Sequence, residues 1–242
     1  MKNIPIVILN RDRLVPMVHL VESLHKKNYT NIIIIDNQTT YEPTLEWYKN
    51  SGVEVFYNNI PETLYDTGTL HRLAVDVKHP RFVDLLKDYY VFTDSDVVPV
   101  DEIPDNFLEH MFELCEEFKG IHKIGLGVKI DDLLEDNPQT PQFLNYEKDF
   151  WSDNRRIPHP KYELYKAPID TGFALYTPNS AAGWSDNSIR MAGDYMMRHY
   201  PFYYYLDRLP DDEFYYLKHL PGGRGPVVSW HNKNLLISKG DI

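Results

Sequence analysis

The sequence predicts an α/β fold: a mixed, mostly parallel sheet flanked by helices within a single domain. Two observations predict it. Through residues 1–100, short apolar runs of strand length alternate with amphipathic stretches at helical spacing, the pattern of a parallel sheet covered on both faces. The bulk numbers agree: 242 residues, 43% hydrophobic and 25% charged, suffice for a sizeable core, and no low-complexity tract interrupts them.

Taken in order, Ile4 to Leu9 reads as the first strand. Val15, Val18, Leu20, Val21 and Leu24 then recur at helical spacing between Leu14 and Lys27. Asn31 to Asp36 is a second, continuously apolar strand, Thr44 to Ser51 a short helix closed by Gly52, and Val53 to Tyr57 a third strand. Strand, helix, strand, helix, strand is the pattern of a nucleotide-binding half-sheet. Thr69 to Val77 and Arg81 to Leu86 read as helical, and the run from Tyr89 to Thr93 enters Asp94-Ser95-Asp96. Beyond it come a helix over Asn106 to Lys119, a strand over Ile124 to Ile130, and a polar loop over Asp136 to Pro141. Ile169 to Tyr176 reads as a strand, Asp212 to His219 as a helix, and Gly222 to Pro226 as a turn into Val227 to Trp230.

Composition excludes several functions. A net charge of −11 without a Lys/Arg cluster excludes a sequence-independent nucleic-acid binder. A phosphorylated ligand would need local charge compensation, and a divalent cation is the simplest source. Cys115 stands alone, so neither an intrachain disulfide nor a cysteine-built zinc site is available, and a reducing compartment fits. Met1-Lys2-Asn3-Ile4-Pro5 has no signal-peptide pattern, and runs such as Ile32 to Ile35 are too short to span a bilayer. The expectation is a cytoplasmic protein with no transmembrane segment.

The strongest chemical signal is Val91-Phe92-Thr93-Asp94-Ser95-Asp96-Val97-Val98-Pro99. Ligands of open α/β sheets collect at the carboxyl ends of strands, so two acids at such an end face the crevice. Mg²⁺ or Mn²⁺ is held by one or two carboxylates together with phosphate oxygens and water, which two acids one residue apart can supply. An isolated Asp-x-Asp is also what a solvated turn contains.

In context, the chain resembles the nucleotide-sugar-dependent glycosyltransferases of the GT-A fold, in particular their family 2-like members. Ile6-Val7-Ile8-Leu9-Asn10-Arg11 resembles their first strand and nucleotide-facing turn, and Ile33-Ile34-Ile35-Asp36-Asn37 the second, whose acid contacts base or ribose. Thr67-Gly68-Thr69-Leu70-His71-Arg72 is similar to the Gly and Arg region that helps hold the donor diphosphate, and Ile169-Asp170-Thr171-Gly172-Phe173-Ala174-Leu175-Tyr176 to the later strand lining the acceptor side. The resemblance implies a GT-A-like domain over 1–242, with a nucleotide-binding half at 1–100 and an acceptor-facing half at 101–242. It implies a metal-dependent transfer of a sugar from a nucleotide-diphosphate-sugar donor to a hydroxyl of a carbohydrate or glycoconjugate acceptor, as in polysaccharide biosynthesis. Asn10, Arg11, Asp36, Gly68, Arg72, Asp94 and Ser95 would bind the donor. Asp94 and Asp96 would hold Mn²⁺ or Mg²⁺. Read alone, Asp36 also fits a cap and Arg72 a helix surface.

An inverting transfer needs a carboxylate within reach of the acceptor hydroxyl. Pro210-Asp211-Asp212-Glu213-Phe214 resembles the acidic motif that supplies this base at a helix start, so Asp212 is the first choice, Asp170 the second and Asp131-Asp132 a third. Acids at a helix N-terminus are also stabilised by capping and the macrodipole. His231, in Val228-Ser229-Trp230-His231, resembles the family's downstream metal-binding histidine, with His199 as rival. Trp151, Asp170 and His199, beside the aromatic run Tyr200 to Tyr205, are expected at the acceptor, although such rings equally serve as core packing. Two alternatives remain: a noncatalytic carbohydrate-binding or scaffold protein of this fold, and a nucleotidyltransferase. The latter should carry a Gly-rich basic loop after the first strand, where this chain has Asn10-Arg11-Asp12-Arg13-Leu14.

Overall fold

The computed structural model describes residues 2–64, 68–169, 172–180 and 185–219. Among these, one sheet runs through both halves of the chain. Its strands are β1 (Ile6–Asn10), β2 (Ile32–Asp36), β3 (Glu54–Tyr57), β4 (Tyr90–Asp94), β5 (Val97–Pro99), β6 (Lys123–Val128), β7 (Arg156–Ile157), β8 (Leu164–Tyr165), β9 (Ala174–Tyr176) and β10 (Ser188–His199). The helices are α1 (Val15–Lys26), α2 (Glu42–Asn50), α3 (Thr69–His71), α4 (Pro80–Leu85), α5 (Phe107–Glu117), α6 (Thr140–Glu147) and α7 (Asp211–His219). A π-turn over Arg72–Asp76 continues α3.

The sheet order is β3-β2-β1-β4-β9-β6-β10-β8-β7, with β5 paired to β10. β3, β2, β1 and β4 are mutually parallel, β9 runs against β4 and β6, and β10 runs with β6. The expected α/β class, a mixed sheet with its long ladders parallel and helices around it, is what forms. β2 shows the physical reason: all five residues of Ile-Ile-Ile-Ile-Asp are buried, because a parallel strand covered on both faces has no solvent side. Odd and even residues go to different layers. Ile6, Ile8, Ile32 and Ile34 pack with Met17, Leu20 and Leu24 of α1, whereas Val7, Ile33 and Ile35 pack with Leu70, Leu73 and Phe82.

In the second half the structure departs from the sequence pattern. The stretch read as a strand over Ile169 to Tyr176 forms β9 only from Ala174, preceded by a bridge between Ile169 and Ser185. The loop assigned to Asp136 to Pro141 instead leads into α6, with Pro141 in its first turn, where the missing N–H leaves no bond unmade. β10 had no counterpart in the sequence pattern. Its register to β6 slips between Met191 and Met196, and Gly193 sits there at φ +66°, so period-2 alternation is broken in mid-strand. The turn at 222–226 and the strand at 227–230 lie outside the described residues.

Candidate functional site

The site is assembled at the carboxyl ends of β1, β2 and β4. β4 stops at Asp94, opposite Leu9 of β1, and the Ser95 amide donates to the Leu9 carbonyl at 3.1 Å. The chain then reverses into β5, which pairs antiparallel with the end of β10, Val97 opposite His199. The Tyr200 amide donates to the Asp96 carbonyl at 2.8 Å. Asp94-Ser95-Asp96 is therefore a tight turn clamped from β1 and from β10. Ser95 and Asp96 are buried within it.

Asp96 is the best-defined acid of the group. Its Oδ2 meets Arg13 Nη1 at 3.1 Å and His199 Nε2 at 3.4 Å. Burial alone would raise its pKa, but Arg13 and His199 outweigh burial and hold the carboxyl well below the usual carboxylate range. Its Oδ1 is buried and has no hydrogen-bond partner among the described residues. A buried, ionised oxygen left without a donor is unusual enough to require an explanation.

Arg13 connects this turn to α7, 200 residues away in sequence. Its Nε and Nη2 grip Glu213 at 2.6 and 3.1 Å, a two-point guanidinium–carboxylate pairing, and the guanidinium lies 3.8 Å over the Tyr216 ring. Burial opposes its charge, but Glu213 and Asp96 more than compensate, so the guanidinium is held well above its ordinary pKa. Burial pushes Glu213 the other way, upward, and Arg13 offsets only part of that. Asp94, Asp96, Asp212 and Glu213 all act electrostatically on this spot, so the carboxylates outnumber the cations.

Asp212 points into the β1–α1 turn. Its Oδ2 accepts the backbone amides of Leu14 and Val15 at 2.8 and 2.7 Å, capping α1, which has no side-chain cap of its own. Its Oδ1 is buried without a partner among the described residues. One oxygen of the residue expected to be the base is thus committed to holding a helix.

The donor-side residues expected from the sequence lie along the same edge, several facing inward. Asn10 donates to the Tyr48 hydroxyl at 2.8 Å, and Tyr48 donates to Asp36 Oδ1 at 3.1 Å, while Asp36 Oδ2 accepts the Thr39 amide. Burial raises the Asp36 pKa despite these donors. Asp12, in the left-handed region at φ 60°, accepts the Thr40 and Tyr41 amides and so ties the turn after β1 to the turn after β2. Arg11 reaches the His219 carbonyl of α7 at 3.4 Å. Gly68 precedes α3, its carbonyl accepting the Arg72 amide, and Thr69 receives the Asn37 side chain, which brings this segment to the end of β2.

On the other flank, Trp151 packs against β6: a Cβ on Gly127 would come within 2.2 Å of its ring. Its indole Nε1 is buried without a partner among the described residues. Beneath it a buried Arg190–Glu147 pair closes at 2.7 Å. The aromatic run after His199 is largely structural. Phe202 stacks on Phe143, Tyr203 donates to Asp132, and Tyr200 meets His19. Asp132 is itself occupied by Arg198 and Tyr203, which removes it from the choice of base. Asp170 and His231 lie outside the described residues.

Sequence reasoning missed the link that organises the site, Arg13 with Glu213 and Tyr216. No local signal could have paired residues so far apart. No group of three or more His, Cys, Asp or Glu side chains among the described residues is arranged to hold a metal by itself, and no described helix is long and apolar enough to cross a membrane.

No protein-family model and no curated protein matches the sequence. Solved structures give fold-level likenesses. A cytidylyltransferase from Leptospira borgpetersenii serovar Hardjo-bovis (strain JB197) matches at 18% identity and a TM-score of 0.34, over 51% of this chain and 53% of that one. Glucosyl-3-phosphoglycerate synthase from Mycobacterium tuberculosis, in complex with Mn²⁺, uridine-diphosphate-glucose and phosphoglyceric acid, matches at 14% identity and a TM-score of 0.40, over 72% and 56%. A further mycobacterial protein matches at 12% identity and a TM-score of 0.40, over 78% and 64%. The chain thus spans less than two thirds of each of these proteins, and its chemistry has to come from its own residues.

Proposed function

We propose that this chain is a metal-dependent glycosyltransferase that moves a sugar from a nucleotide-diphosphate-sugar donor to a hydroxyl of a carbohydrate or glycoconjugate acceptor. The observation that carries this is the acid turn at the carboxyl end of β4, with Asp96 ionised, buried and left with one oxygen unpartnered among the described residues. A parallel half-sheet gathers its ligand at this edge, and hard carboxylate oxygens suit Mg²⁺ or Mn²⁺. Asp94 and Asp96 would hold the ion, with donor phosphates completing the coordination that the described residues alone do not supply. When bound there, the ion supplies charge compensation for the diphosphate and the departing nucleotide.

The chain's own groups fill the remaining roles. Arg11, at the turn after β1, and Arg72 with Gly68, near the end of β2, would face the diphosphate. Asn10, whose Oδ1 is buried without a partner among the described residues, and Asp36 would line the nucleotide side. His199, the imidazole beside Asp96 at 3.4 Å, would be the metal-side histidine. Trp151 would offer its ring face and N–H to the acceptor. With Asp212 Oδ2 occupied at α1, Asp170 becomes the better choice for the group that takes the acceptor proton.

The test is a panel of nucleotide sugars with Mn²⁺ or Mg²⁺, with release of nucleotide diphosphate as readout. Wild type should hydrolyse at least one donor slowly without acceptor, and Asp96→Ala should lose this activity. If no donor binds or turns over with either metal, the assignment fails, and pyrophosphate release from a nucleoside triphosphate and a sugar phosphate would select the nucleotidyltransferase instead. Asp170→Asn should depress transfer while sparing donor affinity; normal transfer in that variant removes Asp170 as the base.

A further inference from the structure

We propose that Arg13 is a resident counter-cation of the acid turn, a positioning residue that competes with a divalent metal for Asp96, and that α7 sets the strength of this competition through Glu213. The proposal rests on the metal reading above.

The geometry gives Arg13 two anchors of unequal quality. Glu213 takes Nε and Nη2 at 2.6 and 3.1 Å, whereas Asp96 takes only Nη1 at 3.1 Å. Both anchors are buried, and a guanidinium cannot shed its charge to relieve crowding. A divalent ion arriving at Asp96 would therefore meet a fixed positive charge already on the same carboxylate. His199 also faces Asp96 Oδ2, at 3.4 Å. Relief has to come from movement, and the structure supplies a destination. The two-point grip of Glu213 and the face of Tyr216 can hold Arg13 without Asp96.

Two consequences follow. Without metal, Arg13 pairs with Asp96 in a buried turn that has Glu213 on its other side. With metal, Arg13 falls back on Glu213, so ion binding and the seating of α7 are thermodynamically linked. Glu213 then favours metal binding without touching the ion, because it draws Arg13 away from Asp96.

The experiment is a Mn²⁺ titration of the full chain without nucleotide or sugar, with free ion read by electron paramagnetic resonance and folding checked by circular dichroism. Arg13→Gln should bind Mn²⁺ on the order of tenfold more tightly than wild type, because a neighbouring positive charge is gone. Arg13→Lys, which keeps the charge, should stay close to wild type. Glu213→Gln should bind more weakly, since Arg13 then turns wholly to Asp96. In the Arg13→Gln background the same change at Glu213 should have little effect, which separates action through Arg13 from general loss of negative charge. Unchanged or weaker binding by folded Arg13→Gln overturns the proposal and leaves the metal reading standing, as does an equal Glu213→Gln effect with and without Arg13. Should Arg13→Gln fail to fold, unchanged or tighter binding by Glu213→Gln overturns it alone. Absence of Mn²⁺ binding in every folded protein, with a nucleoside diphosphate added as well as without it, removes the metal reading, and the proposal with it.

Discussion

The strands that present the site and the helix that closes over it are held by different physics. β1, β2 and β4 sit between two apolar layers, with Ile8, Ile34 and Phe92 fully buried. Among the described residues the apolar cluster of α7 is Tyr216 and Leu217, with Leu206 and Leu209 against them. What fixes α7 to the body is polar: Glu213 on Arg13, Asp212 on the amides of α1, Tyr215 on Thr40, and Arg11 on the His219 carbonyl. Hydrophobic burial is non-directional and insensitive to pH, whereas ionic anchors are directional and depend on protonation.

The comparison is broken most severely by a cavity on the rigid side. Ile34→Ala, at a fully buried position, should cost about 2–5 kcal/mol in denaturant unfolding, and the loss should be the same at pH 5 and pH 8. A strongly pH-dependent loss there would mean that the sheet is not the independent scaffold described. The largest loss on the α7 side should come from Asp212→Ala, which strands the Leu14 and Val15 amides and should cost about 1–2 kcal/mol. Asp212→Asn keeps an acceptor oxygen and should recover most of that stability. If Asp212→Asn unfolds as readily as Asp212→Ala, it is the charge and not the cap that matters.

The same contrast explains what could be read from the sequence. β1, β2 and β4 carry their burial in consecutive residues, so a run such as Ile32 to Ile35 announces both strand and core. The acid turn was legible because Asp94 and Asp96 end such a run. β10 was not, because its slip between Met191 and Met196 removes the alternation that marks a strand. Nor was the role of α7. Asp212 reads as an acid at its own helix start, yet it caps α1, and only the fold brings Glu213 to Arg13. Periodicity reports which face of an element is buried; it says nothing of which distant charge that face meets.

A smaller effect should separate the two acids on either side of Arg13 by their response to pH. The Asp96 carboxyl is held below its ordinary value in the folded protein, so its contribution is present above about pH 4 and is lost as pH falls through the lower folded value. Glu213 is raised, so its contribution is full below its ordinary value and declines as pH rises through the raised one. Glu213→Gln does not titrate. Measured from pH 4 upward, the stability of wild type relative to Glu213→Gln should fall across the Glu213 window; the difference removes Asp36, also raised by burial, and every other acid the two proteins share. Parallel curves for the two proteins would show that Glu213 titrates alike folded and unfolded.

The mildest prediction tests whether the rim of α7 shares the work of its ionic centre. Tyr215 donates to the Thr40 carbonyl at 3.3 Å and stands 4.8 Å from the Tyr41 ring, both on the solvent side of the helix. Tyr215→Phe keeps the ring contact and deletes the long, exposed contacts of the hydroxyl to the Thr40 carbonyl and Oγ1, so it should cost about 0.5 kcal/mol or less. Raising salt should change the seating of α7 little in this variant and in wild type alike, because the Arg13–Glu213 pair is buried and screened far less than an exposed one. Limited proteolysis within α7 at low and high salt measures both effects. Equal cleavage of the variant and wild type at each salt concentration would place the docking energy at Arg13; faster cleavage of Tyr215→Phe at low salt would move a share of it to the rim and weaken the case that α7 answers chiefly to charge.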